Sequence, residues 1–334
     1  MTTEELILRL CAADGTSGDE EEAARAAAAA FPGCARTAAD ALGNLTAVLN
    51  PGAGPGGILL DAHLDKIGLA VTGIDENGFL RVAPCGGVDR RVLPGAPVTV
   101  RGREPLPGVV CCPPRPAGDE KLPAADRMAV DIGCPRETAE RLVRPGDRVV
   151  FAAPPKRLLG TRISAPGLDD RAGVAALARC AQMLAERPPR RRVTFLCSTR
   201  EEVGGQGAVT GAWSAAPELG IAVDVGFARQ PGVPEEKSGT LGGGPMIGFA
   251  PVLDRQIGEA LASLAEKLRI PYGRDVMGGE TGTDSDVLAA ARGGVRTGLV
   301  SIPLRYMHTP AEVADIRDVE NTALLLAEYV RGAE

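Results

Sequence analysis

A chain of 334 residues is longer than most single hydrophobic cores grow, so we expect one large compact unit and a smaller one. With 44% hydrophobic and 24% charged residues, the composition excludes a disordered or fibrous protein. The net charge of −6 is modest and spread out, which argues against nucleic acid or an anionic membrane as the main partner.

The amino-terminal segment lacks the features of a secretory signal, because Glu4 and Glu5 stand where lysine or arginine would be expected. No segment approaches the ~18 apolar residues of a membrane span. The eight cysteines form no CxxC pair, so we expect reduced thiols rather than disulfides or a zinc–thiolate site. Together these observations predict a cytoplasmic protein.

The first elements along the chain are two helices followed by two strands. Residues 6–11 and 20–30 are predicted to be helical, and Thr16, Ser17 and Asp19 can cap the second helix. The short apolar runs at 45–49 and 58–62 are typical of buried strands.

Residues 67–159 differ in composition from the preceding part of the chain and contain no histidine. Short apolar runs are separated there by glycine and proline, and they predict strands at residues 80–83, 98–101, 109–112 and 149–152. We therefore expect a small all-β domain over residues 67–159, inserted into a larger one.

After residue 160 helices and strands alternate. The predicted elements are a helix at 171–186, strands at 193–198 and 221–225, a helix at 254–268, a strand at 298–302 and a helix at 319–330. Such alternation favours an α/β fold, a mixed sheet with helices on both faces. Residues 1–66 and 160–334 would form this larger domain.

The two histidines of the chain both lie among polar residues that follow an apolar run. His63 and Asp65 follow the strand predicted at 58–62, and a spacing of two puts both side chains on one face of an extended backbone. One could bind a metal while the other orients it, although a structural hydrogen bond would explain the pair equally well. His308 follows the strand predicted at 298–302, where a loop histidine without a metal is the alternative.

Five carboxylates complete the candidate set. Asp169 and Asp170 precede a predicted helix, where acidic residues also serve as simple caps. Glu201 and Glu202 follow a very apolar strand, at the sheet edge where α/β proteins place their sites. Asp224 lies inside an apolar strand, where a buried carboxylate needs a positive partner.

Two imidazoles and several carboxylates are the ligands that Zn²⁺, Mn²⁺ and Co²⁺ prefer. No cysteine lies in these groups, which argues against an iron–sulfur or structural zinc site. The residues therefore favour a pair of catalytic divalent metals.

In this order the motifs resemble the M42 family of metallo-aminopeptidases, the glutamyl and deblocking aminopeptidases that have also been labelled endoglucanases. The resemblance covers nearly the whole chain and rests on Ser17-Gly18, Asp40-Ala41-Leu42-Gly43-Asn44, Ala62-His63-Leu64-Asp65, Leu168-Asp169-Asp170-Arg171, Glu201-Glu202-Val203-Gly204, Asp224, Gly282-Thr283-Asp284 and Arg305-Tyr306-Met307-His308-Thr309-Pro310. It implies a zinc-peptidase-like fold, short peptides as substrates and two divalent ions per subunit, with zinc first and cobalt or manganese as alternatives. It also implies homo-oligomers, first dimers and then twelve-subunit shells, built with the help of the inserted domain.

Carried over position by position, the resemblance implies five metal ligands: His63, Asp169, Glu202, Asp224 and His308. Asp169 would bridge the two metals, and its peptide bond to Asp170 would be cis. Glu201 would be the general base of an aminopeptidase that hydrolyses the N-terminal peptide bond, and Asp65 would support His63.

The chain departs from the family pattern at two places. Lys66 stands where an acidic residue is usual, and the segment after Asp224 lacks the second aspartate usually found before the proline at the position of Pro231. Arg229 could favour an acidic first residue, or could be an ordinary surface arginine. The substrate preference therefore stays open.

Two other functions fit part of the pattern. A glycoside hydrolase needs two carboxylates that flank a sugar bond, but the neighbours Glu201 and Glu202 would point to opposite faces of an extended chain. A non-catalytic peptide-binding or assembly protein on the same scaffold would not need Glu201, which is not required as a ligand.

Overall fold

The computed structural model describes residues 1–54, 56–112 and 123–333. In these ranges the helices are α1 (Thr3–Ala12), α2 (Glu21–Ala28), α3 (Arg136–Leu142), α4 (Leu168–Glu186), α5 (Gln206–Ala215), α6 (Arg255–Leu268), α7 (Asp284–Ala289) and α8 (Ile316–Gly332). The strands are β1 (Arg36–Ala39), β2 (Leu45–Leu49), β3 (Ile58–His63), β4 (Gly68–Ile74), β5 (Leu80–Cys85), β6 (Pro97–Arg101), β7 (Pro105–Cys111), β8 (Ala129–Asp131), β9 (Arg148–Phe151), β10 (Lys156–Arg157), β11 (Arg162–Ala165), β12 (Val193–Ser198), β13 (Leu219–Phe227), β14 (Met246–Phe249), β15 (Gly273–Val276), β16 (Arg296–Leu304) and β17 (Glu312–Asp315).

A large mixed sheet forms the body of the molecule, with strand order β1-β2-β12-β3-β13-β16-β14-β15. The four central strands β12, β3, β13 and β16 are parallel, whereas β2, β14 and β15 run in the opposite direction. Since parallel strands end at one edge of a sheet, the polar residues that follow them are brought together there.

Helices cover both faces of this sheet. On one face α1, α4, α6 and α8 pack over a core that includes Leu60, Val223 and Val300, and on the other α5 and α7 pack over Leu59 and Leu299. Neighbouring residues along a strand, such as Leu59 and Leu60, thus belong to different cores, as the two-residue period of a strand requires. The α/β fold expected from the sequence is confirmed.

A closed antiparallel barrel is inserted between β3 and α4, with strand order β4-β5-β8-β7-β6-β9. It has its own apolar core, which includes Leu69, Leu80, Val100 and Val130. The expected β-rich stretch is confirmed for the described residues, although it also contains the helix α3. Residues 113–122, which fall within the predicted all-β domain, lie outside the described residues.

A third, three-stranded sheet has the order β10-β11-β17. In it β17 pairs antiparallel with β11, and Glu312 lies opposite Ala165. This small sheet therefore places the start of β17 close to the start of α4, three residues beyond Ala165.

Several local features differ from the sequence-based expectations. The helix expected at 20–30 ends at Ala28, and the helix expected from residue 171 begins at Leu168 with non-helical backbone at Asp169 and Asp170. The bond between these two aspartates is cis, as the resemblance implied. Glu201 and Glu202 lie in a 3-10 turn rather than in extended chain, so they do not point to opposite faces of a strand.

All eight cysteines are free thiols, as expected. Among the described helices, none is both long enough and apolar enough to cross a bilayer.

Candidate metal centre

The polar residues singled out in the sequence meet at the carboxyl edge of the parallel strands. His63 ends β3 and is paired with Ser198, the last residue of β12. Asp224 lies on β13, two residues beyond Ala222, which pairs with Asp61 of β3, so it is level with His63. The strand register alone therefore brings His63 and Asp224 side by side.

The other members of the group come from turns and loops. Asp169 lies at the start of α4, Glu202 in the 3-10 turn after β12, and His308 between β16 and β17. His308 has a positive φ of 62°, which is uncommon for a residue with a side chain. These residues rely on hydrogen bonds rather than on a strand ladder for their positions.

Five of the side chains fall into two groups that share Asp169. His63, Asp169 and Asp224 form the first group, and the second consists of Asp169, Glu202 and His308; within each, the ligand atoms lie within 4.8 Å of one another. Asp169 Oδ1 is 3.1 Å from His63 Nε2, and its Oδ2 is 3.2 Å from His308 Nε2. One carboxylate thus faces a histidine with each of its oxygens, the arrangement that a bridging ligand requires.

The tautomer of His63 follows from its second ring nitrogen. His63 Nδ1 lies 3.0 Å from the backbone carbonyl of Asp65. A carbonyl oxygen can only accept, so Nδ1 carries a hydrogen, and Nε2, which faces Asp169, is the ring nitrogen that a cation would bind. Such an outer partner is usual for a histidine that binds a metal.

The Asp65 side chain is fully buried, and its oxygens hold backbone and hydroxyl groups. Oδ1 accepts a hydrogen bond from Glu201 N at 2.9 Å, whereas Oδ2 accepts from Ser17 Oγ at 2.6 Å and from Glu202 N at 3.2 Å. The carboxylate lies 3.5 Å from His63 Nδ1, further away than its own backbone carbonyl. Asp65 therefore fixes the turn that carries the two glutamates as well as standing next to His63.

Glu201 lies at the boundary between the polar group and an open cleft. Its Oε2 is 4.0 Å from His63 Nε2, and 16% of its side chain is exposed. Burial raises the pKa of Glu201, His63 lowers it, and the nearby Asp284 and Glu202 raise it again, to about 8. A carboxylate with such a pKa can take up and release a proton near neutrality.

The electrostatics indicate a centre with too much negative charge for two imidazoles. Burial, opposed by His63 but reinforced by neighbouring carboxylates, raises the pKa of Asp224 well above its usual range. Burial also raises the pKa of Glu202, whose Oε1 has no hydrogen-bond partner among the described residues. The nitrogen and oxygen donors, the orphaned oxygen and the crowded carboxylates all fit divalent cations, which would supply the missing positive charge.

A cleft of about 860 Å³ opens directly onto this group. Apolar side chains, including Phe227, Val276 and Met307, form part of its wall. Gly87 of the β5–β6 connection closes another part, and a Cβ added there would lie 2.7 Å from His308 Nδ1. The inserted barrel thus contacts the candidate centre at Gly87. A larger residue at this position would displace His308.

The sequence reasoning missed two residues that support the group. Glu312 is fully buried and accepts hydrogen bonds from the backbone of Asp169 and His308. Asp284 accepts from Ser198 Oγ at 2.7 Å, next to the end of β12. The motif Gly282-Thr283-Asp284 had marked the region of Asp284, whereas nothing in the local sequence distinguishes Glu312 from a surface residue.

Comparisons with known proteins give matches that cover most of the chain. The family described as M42 glutamyl aminopeptidase has a sequence model that matches residues 43–325. A lysyl aminopeptidase from Pyrococcus furiosus is 37% identical over 296 residues, which make up 86% of this chain and 84% of that protein.

Solved structures of similar proteins have the same architecture. An aminopeptidase from the archaeon Desulfurococcus kamchatkensis gives a TM-score of 0.92 at 34% identity and covers 99% of this chain and 94% of its own. The TET1 peptidase of Pyrococcus horikoshii, which can assemble into a tetrahedron or a large octahedral shell, gives a TM-score of 0.88 at 30% identity, with 98% and 99% of the two chains covered. The similarity therefore includes the inserted barrel as well as the large sheet.

Proposed function

Because this chain belongs to the M42 peptidase family, we propose that it removes N-terminal residues from short peptides at a centre of two divalent cations, with Glu201 as the general base. Family membership makes the protein a hydrolase of peptide bonds, and so argues against the glycoside hydrolase and the non-catalytic alternatives. The single observation that supports a two-cation centre is the position of Asp169, whose two carboxylate oxygens each face a different histidine.

In this proposal one cation is held by His63, Asp169 and Asp224, and the other by Asp169, Glu202 and His308. Zinc is the expected metal, and cobalt or manganese also suits nitrogen and oxygen donors. What the cations supply is polarisation of the scissile carbonyl and a lower pKa for the attacking water.

Glu201 is suited to move the proton in this reaction. Its side chain lines the cleft beside both groups of ligands, where it could reach a water held between them. Glu201 would take a proton from the water and deliver it to the nitrogen of the leaving amine. Asp65 holds the backbone of Glu201 and so keeps the base in place.

The substrate class and the assembly are part of the proposal. The relatives include a lysyl and a glutamyl aminopeptidase, so their names do not agree on one preferred residue. We propose homo-oligomers, from dimers to a twelve-subunit shell, with residues 67–159 as the assembly domain, and a cytoplasmic enzyme. This part draws on the shells formed by the Pyrococcus horikoshii relative.

A panel of aminoacyl-anilides, including lysyl and glutamyl substrates, tests the proposed reaction. Hydrolysis should vanish after chelation and return when Zn²⁺, Co²⁺ or Mn²⁺ is added back. Glu201→Gln should retain the metals and lose about 10²–10⁴-fold in kcat, because the amide cannot accept the proton.

Glu280→Gln is the matched control, since Glu280 is an exposed glutamate outside the cleft lining. It should keep the activity of the parent protein. Unchanged turnover by Glu201→Gln would refute the assigned base, and hydrolysis that resists thorough chelation would refute the metal centre.

A further inference from the structure

Glu312 is a buried carboxylate that no part of the proposed reaction uses. It is the first residue of β17 and has 0% exposure. A carboxylate buried in this way is costly unless hydrogen bonds or positive charge compensate it. Its contacts therefore indicate why the fold keeps it at this position.

Both oxygens of Glu312 accept hydrogen bonds from the backbone of candidate ligands. Oε2 accepts from Asp169 N at 3.2 Å, and Oε1 accepts from His308 N at 3.0 Å. Asp169 and His308 are distant in the chain and lie on different elements. A single side chain thus connects the shared ligand to the histidine of the second group.

Neither of these two ligands is held by regular secondary structure. Asp169 has non-helical φ and ψ values of −77° and 105° at the start of α4, and His308 has a positive φ in a loop. Their backbone N–H groups have no ladder or helix partner that would fix them, so the carboxylate of Glu312 provides it. Because each side chain follows its own backbone, the separation of Asp169 from His308 depends on this contact.

We propose that Glu312 is a positioning residue, which sets the affinity for the cation shared by Asp169 and His308 by clamping the backbone of both ligands. The inference rests on the proposed two-cation function. It assigns Glu312 no direct contact with substrate or cation.

Glu312→Gln tests the clamp, because its amide nitrogen cannot accept one of the two backbone hydrogen bonds. Outer partners of metal ligands typically contribute 10–100-fold to metal affinity, and we expect a loss of this size for one of two Co²⁺ ions. The measurement is a titration of metal-free protein with Co²⁺, followed by visible absorption. The band of the weakened site should also change shape, which a merely structural role would not cause.

Asp318→Asn is the matched control. Asp318 is also fully buried, and it accepts two backbone hydrogen bonds at 2.7 Å, from Gly242 and Gly244, outside the candidate centre. This variant should lower the thermal stability of the metal-free protein but leave both Co²⁺ affinities within twofold of the parent.

Unchanged Co²⁺ affinities and an unchanged spectrum in Glu312→Gln would overturn the proposal. If that variant does not fold, Glu312→Asp is measured in the same way, since its shorter side chain keeps the charge but cannot reach both N–H groups. If both variants fail to fold without metal, Glu312 is needed for folding rather than for metal affinity. That result would also overturn the proposal. A parent protein that binds no Co²⁺ would instead refute the proposed function itself.

Discussion

The two halves of the candidate centre are built in different ways. The inner half, His63 and Asp224, lies on the paired parallel strands β3 and β13, and these side chains are only 2% and 8% exposed. The outer half, Glu202 and His308, lies on a 3-10 turn and a loop, and the side chain of His308 is 31% exposed. Asp169 is shared by the two.

This difference shows two ways to hold a side chain in place. In the inner half, the backbone hydrogen bonds of the sheet fix each Cα, and these fixed positions determine where the side chains lie. The outer half depends on single side chains, since Asp65 holds the turn of Glu202 and Glu312 holds the backbone of His308. We therefore expect the outer half to be the more easily disturbed.

Asp169→Asn should have the largest effect, because it removes the carboxylate that the two candidate groups share. An amide can offer one oxygen but cannot bridge two cations, so we expect fewer than two cations per subunit and activity near the background. Metal analysis after dialysis, together with anilide hydrolysis, measures both. Two tightly bound cations and normal turnover in this variant would show that the halves do not share a ligand.

Replacing each histidine in turn should affect the two halves differently. His308→Ala should lose one cation while leaving the melting temperature of the metal-free protein nearly unchanged, because its side chain is partly exposed. His63→Ala should lose one cation and also lower that melting temperature, because a buried group that contacts Asp65 and Asp169 is removed. Equal changes in melting temperature for the two variants would show that the two halves are held equally firmly.

Chelation should release the two cations at different rates. The outer half is open to the cleft and lacks a strand ladder, so its cation should leave first when EDTA is added to the Co²⁺ protein. Stopped-flow absorbance should then show two phases, of which His308→Ala retains the slower. A single phase in the parent protein would contradict the prediction.

Gly87→Ala should have the smallest effect, confined to the outer half. The added Cβ would lie 2.7 Å from His308 Nδ1, and such crowding typically costs about 1–3 kcal/mol. We expect this cost to appear as weaker binding of one cation. Gly73→Ala is the control, since Gly73 is in the same barrel and a Cβ there meets nothing within 4 Å.

The sequence predicts members of both halves where a polar residue interrupts or follows an apolar strand. His63 and Asp224 are recognisable because each interrupts or ends an apolar strand, and strand ends meet at one sheet edge. Glu202 was recognisable in the same way, because it follows an apolar strand, whereas either histidine alone could equally have been structural and gained its role as a ligand through the family motifs. The large sheet was foreseen in its central strands, but β1 was missed because all four of its residues are exposed and carry no apolar pattern.

Glu312 and Gly87 could not be predicted from local patterns. The contact of Glu312 with Asp169 spans 143 positions, and it exists only because β17 pairs with β11. Gly87 matters only through its distance to a histidine from another part of the chain. The contacts of both residues depend on tertiary packing, which cannot be predicted from the spacing of residues in the sequence.

The first and last strands of the barrel pair with each other, with Leu69 opposite Val149. His63 and Asp169 stand on either side of this insertion, 106 positions apart. If the barrel closes first during folding, the free chain between these two residues shrinks to roughly a quarter, which lowers the entropic cost of bringing them together by about 1 kcal/mol. The insertion would then act as a folding aid for the residues that bracket it, whatever its part in assembly.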